Sequence, residues 1–466
     1  MAGIVRYGSY VPYFRLTRAA LGRGSGERAI ASYDEDAVSM GVEAAREALR
    51  SEAGSVAGVI DTLLYATTSP AYAEKLDAGI VHAACSLPAG TTALDLGGST
   101  RAGLTSLLAG LDLASAGRRG LLVESEVVVG APEGERERNG GDAAAAFVLG
   151  PDAQSVVVES ARASRTHELL DVWRAPDERF SRQWEARFGA ETLLPLLCEV
   201  ATEALQRAGL QPADLATVVV DSTNARVVRG LPAALGLKPE QVADSLAGSV
   251  GRTGSAHAGL LLARALDVAK PGDRIAVLVA ADGADALILE VTDRIAIGRP
   301  RHAVDDWIAS SCNDVTHHAY LKWRGVLPFE PPRRPDPDRP AAPPMHRAAR
   351  WKYAFEGMRC SACGKANLPP QRVCVICGAV DQMKPESFAD ATCRIATYAI
   401  DRLAYSLQPP VVAAIVDFDP DGRFQSELTD VDPEKVAIGD ELEMTFRRYF
   451  TADSVHNYFW KARPRR

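Results

Sequence analysis

The chain has 466 residues, more than one compact core holds, so two or three domains are expected. Its formal charge is −8 with no long basic run, which argues against nucleic acid as the main partner. No stretch of about 18 apolar residues is free of charge, so no membrane span is expected, and MAGIVRYGSYVPYFRL has no long apolar run before a cleavage site, so a cytoplasmic location is expected.

Residues 1–16 read as a strand and its loop. Asp34 or Asp36 can cap a helix over about 36–50, where Val38, Val42, Ala45 and Leu49 recur at helical spacing. A strand near 59–66 and a helix over about 73–86 follow. Residues 95–110, DLGGSTRAGLTSLLAG, organise the rest. A short strand ends near Leu96, Gly97 and Gly98 permit a tight turn, and a helix starts near Ser99. The unpaired N–H groups at such a start carry partial positive charge and suit a thiolate, an oxyanion or an acyl carbonyl. Residues 120–126 read as a strand, 130–141 as a charged loop, and 142–150 with 155–159 as a hairpin pair.

The second half repeats this order. Residues 43–49 match 199–205, residues 62–67 match 217–222, and residues 99–104 match 255–260, at offsets of 155 or 156. Duplication is the simplest account. Two α/β halves packed together bring the turns at 97–101 and 253–257 close and leave a small-molecule site between them. The proline-dense run 327–344 reads as an extended linker without regular helix. A short helix over 346–357 follows. Cys360-x-x-Cys363 and Cys374-x-x-Cys377 are spaced to close a tetrahedral zinc site, saturated with protein ligands and therefore structural. Strand-like runs at 393–400, 411–417 and 441–448 suggest a small β-barrel.

Residues 1–325 resemble the thiolase superfamily, above all its 3-hydroxy-3-methylglutaryl-CoA synthase and ketoacyl synthase III branch. The resemblance rests on Ala31–Asp36 (ASYDED), Ser99–Gly103 (STRAG), Asp142–Gly150, Asn224-Ala-Arg226 and Asp267–Asp273. The C-terminal part resembles the zinc-ribbon and OB-fold module that accompanies thiolase-like acyl-CoA proteins, through RCSACG at 359–364, CVICG at 374–378, LTDVD at 428–432 and HNYFW at 456–460. The expected fold class is α/β: a duplicated, layered α-β-α-β-α thiolase-like unit (1–160 and 161–325), a linker (326–345), a helix and rubredoxin-like zinc ribbon (346–384), and an OB-fold (385–466).

The resemblance places the nucleophilic cysteine at Thr100, the general acid/base glutamate near Thr68, the histidine at Asp221 and the asparagine at Arg252. All four depart from the family's pattern, and a threonine hydroxyl is a poor nucleophile without an adjacent base. Thr100 is then either a weak catalytic position or a helix cap. Asp221 can serve as a base if buried. His257 can donate to a thioester carbonyl as part of an oxyanion hole, or it caps and packs. Ser99, Ser255 and Arg226 are candidates for holding substrate or CoA, and Arg136, Arg138 and Arg229 can also meet CoA phosphates. Cys85, Cys198 and Cys312 read as packing residues.

The resemblance implies a non-acylating acyl-CoA protein. It is expected to form a homodimer through the thiolase-like unit and to support a separate cysteine-bearing thiolase, with its OB-fold over that partner's active-site mouth. Two alternatives stand beside this: a lyase acting alone by retro-aldol chemistry with Asp221 and His257, and a nucleic-acid-binding OB module.

Overall fold

The computed structural model describes residues 2–22, 24–51, 54–330, 333 and 337–466. The first repeat supplies strands β1 (Ala2–Tyr10), β2 (Thr62–Ala66), β3 (Thr92–Leu96), β4 (Gly120–Glu126) and β5 (Ala143–Pro151). The second supplies β6 (Val157–Thr166), β7 (Thr217–Ser222), β8 (Arg274–Ala280) and β9 (Gly283–Val291). The hydrogen-bonded order is β7-β8-β9-β6-β1-β5-β4-β2-β3. Read outward from the centre, the first half runs β1-β5-β4-β2-β3 and the second runs β6-β9-β8-β7, the same order less its last strand. The counterpart of β3 is reduced to a parallel bridge between Val218 and Val242.

The hairpin expected of 142–150 with 155–159 does not form. β1 lies between β5 and β6 and pairs antiparallel with both. Duplication explains this: β1 and β6 are equivalent central strands, and they meet each other where the halves join.

The helices are α1 (Ala37–Leu49), α2 (Ala78–Ala84), α3 (Ala102–Ser115), α4 (Glu135–Asn139), α5 (Ala186–Ala208), α6 (Ala225–Leu235) and α7 (His257–Val268). α1 covers the outer face of the first half-sheet and α5 that of the second, while α3 and α7 pack on each other between them. This is the expected five-layer arrangement. Asp36, not Asp34, caps α1: its carboxylate accepts from Ser39 N at 2.9 Å, and Ser39 Oγ accepts from Asp36 N at 2.8 Å. The regular part of α3 begins at Ala102, after a turn through Thr100 and Arg101, rather than at Ser99. Residues Ala342–Arg347 are helical, so the last prolines of the 327–344 run start a helix instead of preventing one. Pro343 and Pro344 occupy its first turn, where a missing N–H leaves no bond unmade.

Beyond the linker, strands Glu356–Cys360, Ala366–Asn367 and Met383–Ser387 form the ribbon sheet. Strands β10 (Cys393–Asp401), β11 (Val411–Phe418), β12 (Arg423–Leu428), β13 (Glu441–Ala452) and β14 (Val455–Pro464) close a barrel in the order β10-β11-β12-β14-β13.

The barrel sits on its own chain's first repeat, against α1. Charge holds it there. Lys461 lies 3.0 Å from Asp34, Arg463 2.9 Å from Glu43, and Arg447 pairs with both Glu35 and Asp430. All seven side chains are buried. Arg46 of α1 lies over the Trp460 ring, 4.8 Å from its centre.

Candidate functional site

β4 enters the core between α3 and α7 and carries two acids, Glu124 and Glu126, on one face of the strand. Both are buried. The helices come close because Gly103 has no side chain: a Cβ there would lie 2.0 Å from the Ser255 carbonyl. The turns at 97–101 and 253–257 therefore do meet, as the repeat implies.

Glu126 ties the loop after β2 to the turn ahead of α7. Its Oε2 accepts from Thr68 N (3.0 Å) and Thr68 Oγ1 (2.9 Å) on the loop after β2. It also accepts from Ser255 Oγ (2.8 Å) and Ser255 N (3.3 Å) ahead of α7. A carboxylate thus stands beside Thr68, supplied by β4 rather than by the loop. Glu124 sits deeper. Burial, with Asp221 nearby, pushes its carboxyl up to about 8 against a backbone hydrogen bond from Gly259, and its Oε2 has no partner. The sequence reading passed over both acids because Leu-Leu-Val-Glu-Ser-Glu reads as a buried strand. Their alternate spacing, which puts both on one face, was the available signal.

Two cavities open at this seam, of about 450 Å³ and 650 Å³. Thr100 lines the smaller. Its Oγ1 is buried and has no hydrogen-bond partner among the described residues. Ser99 lines the same cavity and donates its hydroxyl to Asp282. Arg101 locks the turn across the halves, through Asp285 at 2.6 and 2.9 Å and the Asp282 carbonyl at 2.9 Å.

Asp221 and His257 line the larger cavity. Burial alone would raise Asp221, but Arg252, 2.8 Å away, and His257 outweigh it and hold the carboxyl below its usual range. The free base expected at Asp221 is instead an ionised partner of Arg252. The positions matching the family's histidine and asparagine have become an ion pair. Burial, only partly offset by Asp221, lowers His257 to about 4, so its ring is neutral at pH 7. Thr253 N–H points at His257 Nδ1 from 3.3 Å, which puts the ring proton on Nε2. This tautomer leaves Nε2–H as the donor, which is compatible with the oxyanion-hole alternative for His257.

Ser255, expected to touch substrate, lines neither cavity, because its hydroxyl is taken by Glu126. Arg226 and Arg229 are exposed on α6 at the larger cavity, and the half-buried Arg18, which donates to the Ser25 and Ala247 carbonyls, lines it as well. Asn224 caps α6 by accepting from Arg226 N at 3.0 Å. Arg136 lines both cavities, while Arg138 lines neither. Among the described residues no cysteine lines either cavity. Cys85 is buried away from them, its thiol pushed up to about 12 by burial.

The OB module reaches the site from its own chain. At the tip between β13 and β14, His456 N donates to Tyr72 Oη at 2.8 Å, and His456 Nε2 lies 3.1 Å from the Ala71 carbonyl. Tyr72 lines the smaller cavity. The barrel therefore props one wall of it.

In the ribbon, Cys360 and Cys377 sulfurs lie 3.8 Å apart and Cys363 and Cys374 sulfurs 3.7 Å apart. All four fall within 4.8 Å of one another. A tetrahedron of zinc–sulfur bonds of about 2.3 Å has sulfurs about 3.8 Å apart, so the four thiols fit a zinc ion. Asn367 Nδ2 stands 3.7 Å from Cys374 Sγ as an outer hydrogen-bond donor. With four protein ligands the ion has no open position, and its part is structural.

The model of the 3-oxoacyl-[acyl-carrier-protein] synthase III C terminal matches residues 205–290. Those of the ChsH2 rubredoxin-like zinc ribbon and the ChsH2 C-terminal OB-fold domain match residues 348–381 and 389–447. The hydroxymethylglutaryl-CoA synthase of Aeropyrum pernix is 30% identical over 343 residues, 70% of this chain and 95% of that protein. That of Pyrococcus furiosus is 28% identical over 320 residues, 66% of this chain and 91% of that protein. Among solved structures, MvaS in complex with 3-hydroxy-3-methylglutaryl coenzyme A superposes with a TM-score of 0.60 at 18% identity, over 72% of this chain and 94% of that one. HMG-CoA synthase complexed with CoA superposes with a TM-score of 0.59 at 16% identity, over 69% and 89%. With its duplicated half-sheets, its cavities at the turns that lead into α3 and α7 and this run of relatives along the first two-thirds of its length, the chain belongs to the hydroxymethylglutaryl-CoA synthase family of thiolase-like proteins and carries a ChsH2-type zinc ribbon and OB-fold.

Proposed function

We propose that the chain is a non-acylating acyl-CoA protein, which holds a CoA thioester in the cleft during carbon–carbon bond formation or cleavage and forms no acyl-enzyme. One observation carries this reading: among the described residues Thr100 Oγ1 has no hydrogen-bond partner and no cysteine lines either cavity. The larger cavity, with Arg18, Arg226 and Arg229 in its wall, suits the phosphates of CoA, and its neutral His257 suits a thioester carbonyl. CoA and 3-hydroxy-3-methylglutaryl-CoA bound in relatives of this fold support the ligand class.

On this reading the chain pairs with a second copy through β3, which ends the sheet and leaves Leu94 40% exposed. It supplies support or channelling to a separate, cysteine-bearing thiolase or synthase. The competing reading is a lyase acting alone. The smaller cavity, with unpartnered Tyr65 and Thr100 hydroxyls in its wall, favours it, and its base would not be Asp221, which Arg252 already engages.

Turnover separates the two. The purified chain is expected to bind acetoacetyl-CoA without thiolysing it, equally well as Thr100→Ala, and to act only beside a co-purifying thiolase. Enzymatic turnover of the thioester by the lone chain would sink the partner reading.

A further inference from the structure

We infer that the inner end of the smaller cavity, around Tyr65 and Asp77, receives a protonated amine. This rests in part on the acyl-CoA reading above, because the amine is placed on the acyl chain of the bound thioester. A separate small amine bound beside CoA is the other source of the same group, and the arms of the test distinguish the two.

Tyr65 lies near the end of β2 and Asp77 just ahead of α2, and both line the cavity. Tyr65 is 0% exposed and Asp77 1%. Each has a buried oxygen with no hydrogen-bond partner among the described residues, Tyr65 Oη and Asp77 Oδ1. The other Asp77 oxygen accepts from Ala71 N at 2.7 Å.

The charge around these two oxygens is negative. Burial raises the Tyr65 hydroxyl well above its usual range, and Asp36, Asp77, Glu126 and Asp95 each raise it further. Backbone N–H and hydroxyl groups, rather than cations, hold these acids. Asp95 accepts from Asp77 N and Ala78 N. Glu126 accepts from Thr68 and Ser255, and Asp36 from Ser39 N and Tyr458 Oη. Among the described residues Asp77, Asp95 and Glu126 form no ion pair, while Asp36 has Arg448 at 3.9 Å. Lys75 and Arg174, at the exposed rim, donate to the Leu76 and Thr68 carbonyls, and the half-buried Arg136 forms no ion pair either.

Buried carboxylates without a counter-ion cost free energy until a cation arrives. A metal ion does not fit, because these acids do not converge: among the described residues, the ribbon cysteines are the group of three or more ligands close enough to hold one. An ammonium fits. Its three N–H donors need acceptors in separate directions, and Tyr65 Oη and Asp77 Oδ1 are free to accept. The same acids repel a carboxylate or phosphate carried to this end of the cavity.

The test is equilibrium binding by calorimetry at pH 7 and one ionic strength, on the full chain and on Tyr65→Phe and Asp77→Asn. The ligands are β-alanyl-CoA, butyryl-CoA, which has a methyl where the first has its ammonium, free CoA, and β-alaninamide added beside free CoA. The wild type is expected to bind β-alanyl-CoA about tenfold or more tightly than butyryl-CoA, the effect of one hydrogen bond to a charged group. Each variant should erase most of that preference and leave butyryl-CoA within about twofold of the wild type. Equal affinity for the two thioesters, with β-alaninamide bound by the wild type and lost in both variants, supports the site and assigns it to a separate amine. Equal affinity for the two thioesters with no binding of β-alaninamide overturns the inference and leaves the acyl-CoA reading standing, even if a variant fails to fold. A preference for β-alanyl-CoA that survives in both variants also overturns it, because the amine then binds elsewhere. Failure of the wild type to bind any of the three CoA ligands overturns the acyl-CoA reading itself, and β-alaninamide alone then decides the inference.

Discussion

Arg447→Ala is expected to destabilise the protein by about 3–5 kcal/mol, the loss that follows when one partner of a buried ion pair is removed and the other charge is left in the core. Arg447 is fully buried between Glu35 of the first repeat and Asp430 of the barrel. Burial penalises its charge, but Asp430, Glu35 and Asp34 outweigh that and hold the guanidinium protonated. Its removal strands two carboxylates at the seam where the barrel meets α1. Lys461 and Arg463 remain, so the barrel loosens before the sheet does. Denaturant unfolding should show an earlier transition for Arg447→Ala, and limited proteolysis should release the C-terminal module first. Arg402→Ala is the control: Arg402 and Glu434 form an exposed pair, which contributes little. Unfolding of Arg447→Ala at the wild-type denaturant concentration would contradict the claim that charge docks the barrel.

Glu124→Gln is expected to remove a pH dependence worth on the order of 3–5 kcal/mol. The Glu124 carboxyl is raised from 4.5 to about 8, first by burial and then by Asp221. Between those values the unfolded chain releases this proton and the folded chain keeps it. Stability from this group is therefore whole below pH 4.5, falls by about 1.4 kcal/mol per pH unit as pH rises, and is lost above about 8. Glutamine keeps the shape between α3 and α7 without the titration. A Cβ on Gly259 would lie 2.0 Å from Glu124 Oε2, so glycine there makes the room for this side chain. The difference in melting temperature between Glu124→Gln and the wild type should widen in favour of the variant from pH 5.5 to 8.5. Parallel melting curves across that range would show that the Glu124 carboxyl is not held protonated in the fold.

The layered fold was legible because its signals are periodic and local. The 155–156-residue offset carries the duplication, and two Cys-x-x-Cys-Gly knuckles carry the ribbon. What the sequence hid is what depends on distant residues meeting. β1 separates β5 from β6 because it pairs with its own repeat, a contact no local pattern encodes. Asp221 reads as a base until Arg252, 31 positions on, closes over it. Glu126 stands beside Thr68 from 58 positions away, and His456 props Tyr72 from 384. That threonine stands at the position the resemblance gives to the nucleophile was readable from the sequence alone. What surrounds Thr100 required the cavity walls.

The most direct measurement is intact-protein mass spectrometry after incubation with acetyl-CoA or acetoacetyl-CoA at pH 7 and acid quench. A chain that holds its thioester without covalent attachment keeps its unmodified mass under every condition in which it binds ligand. An added acyl mass on the purified polypeptide, mapped to any side chain facing the cleft, would contradict the account.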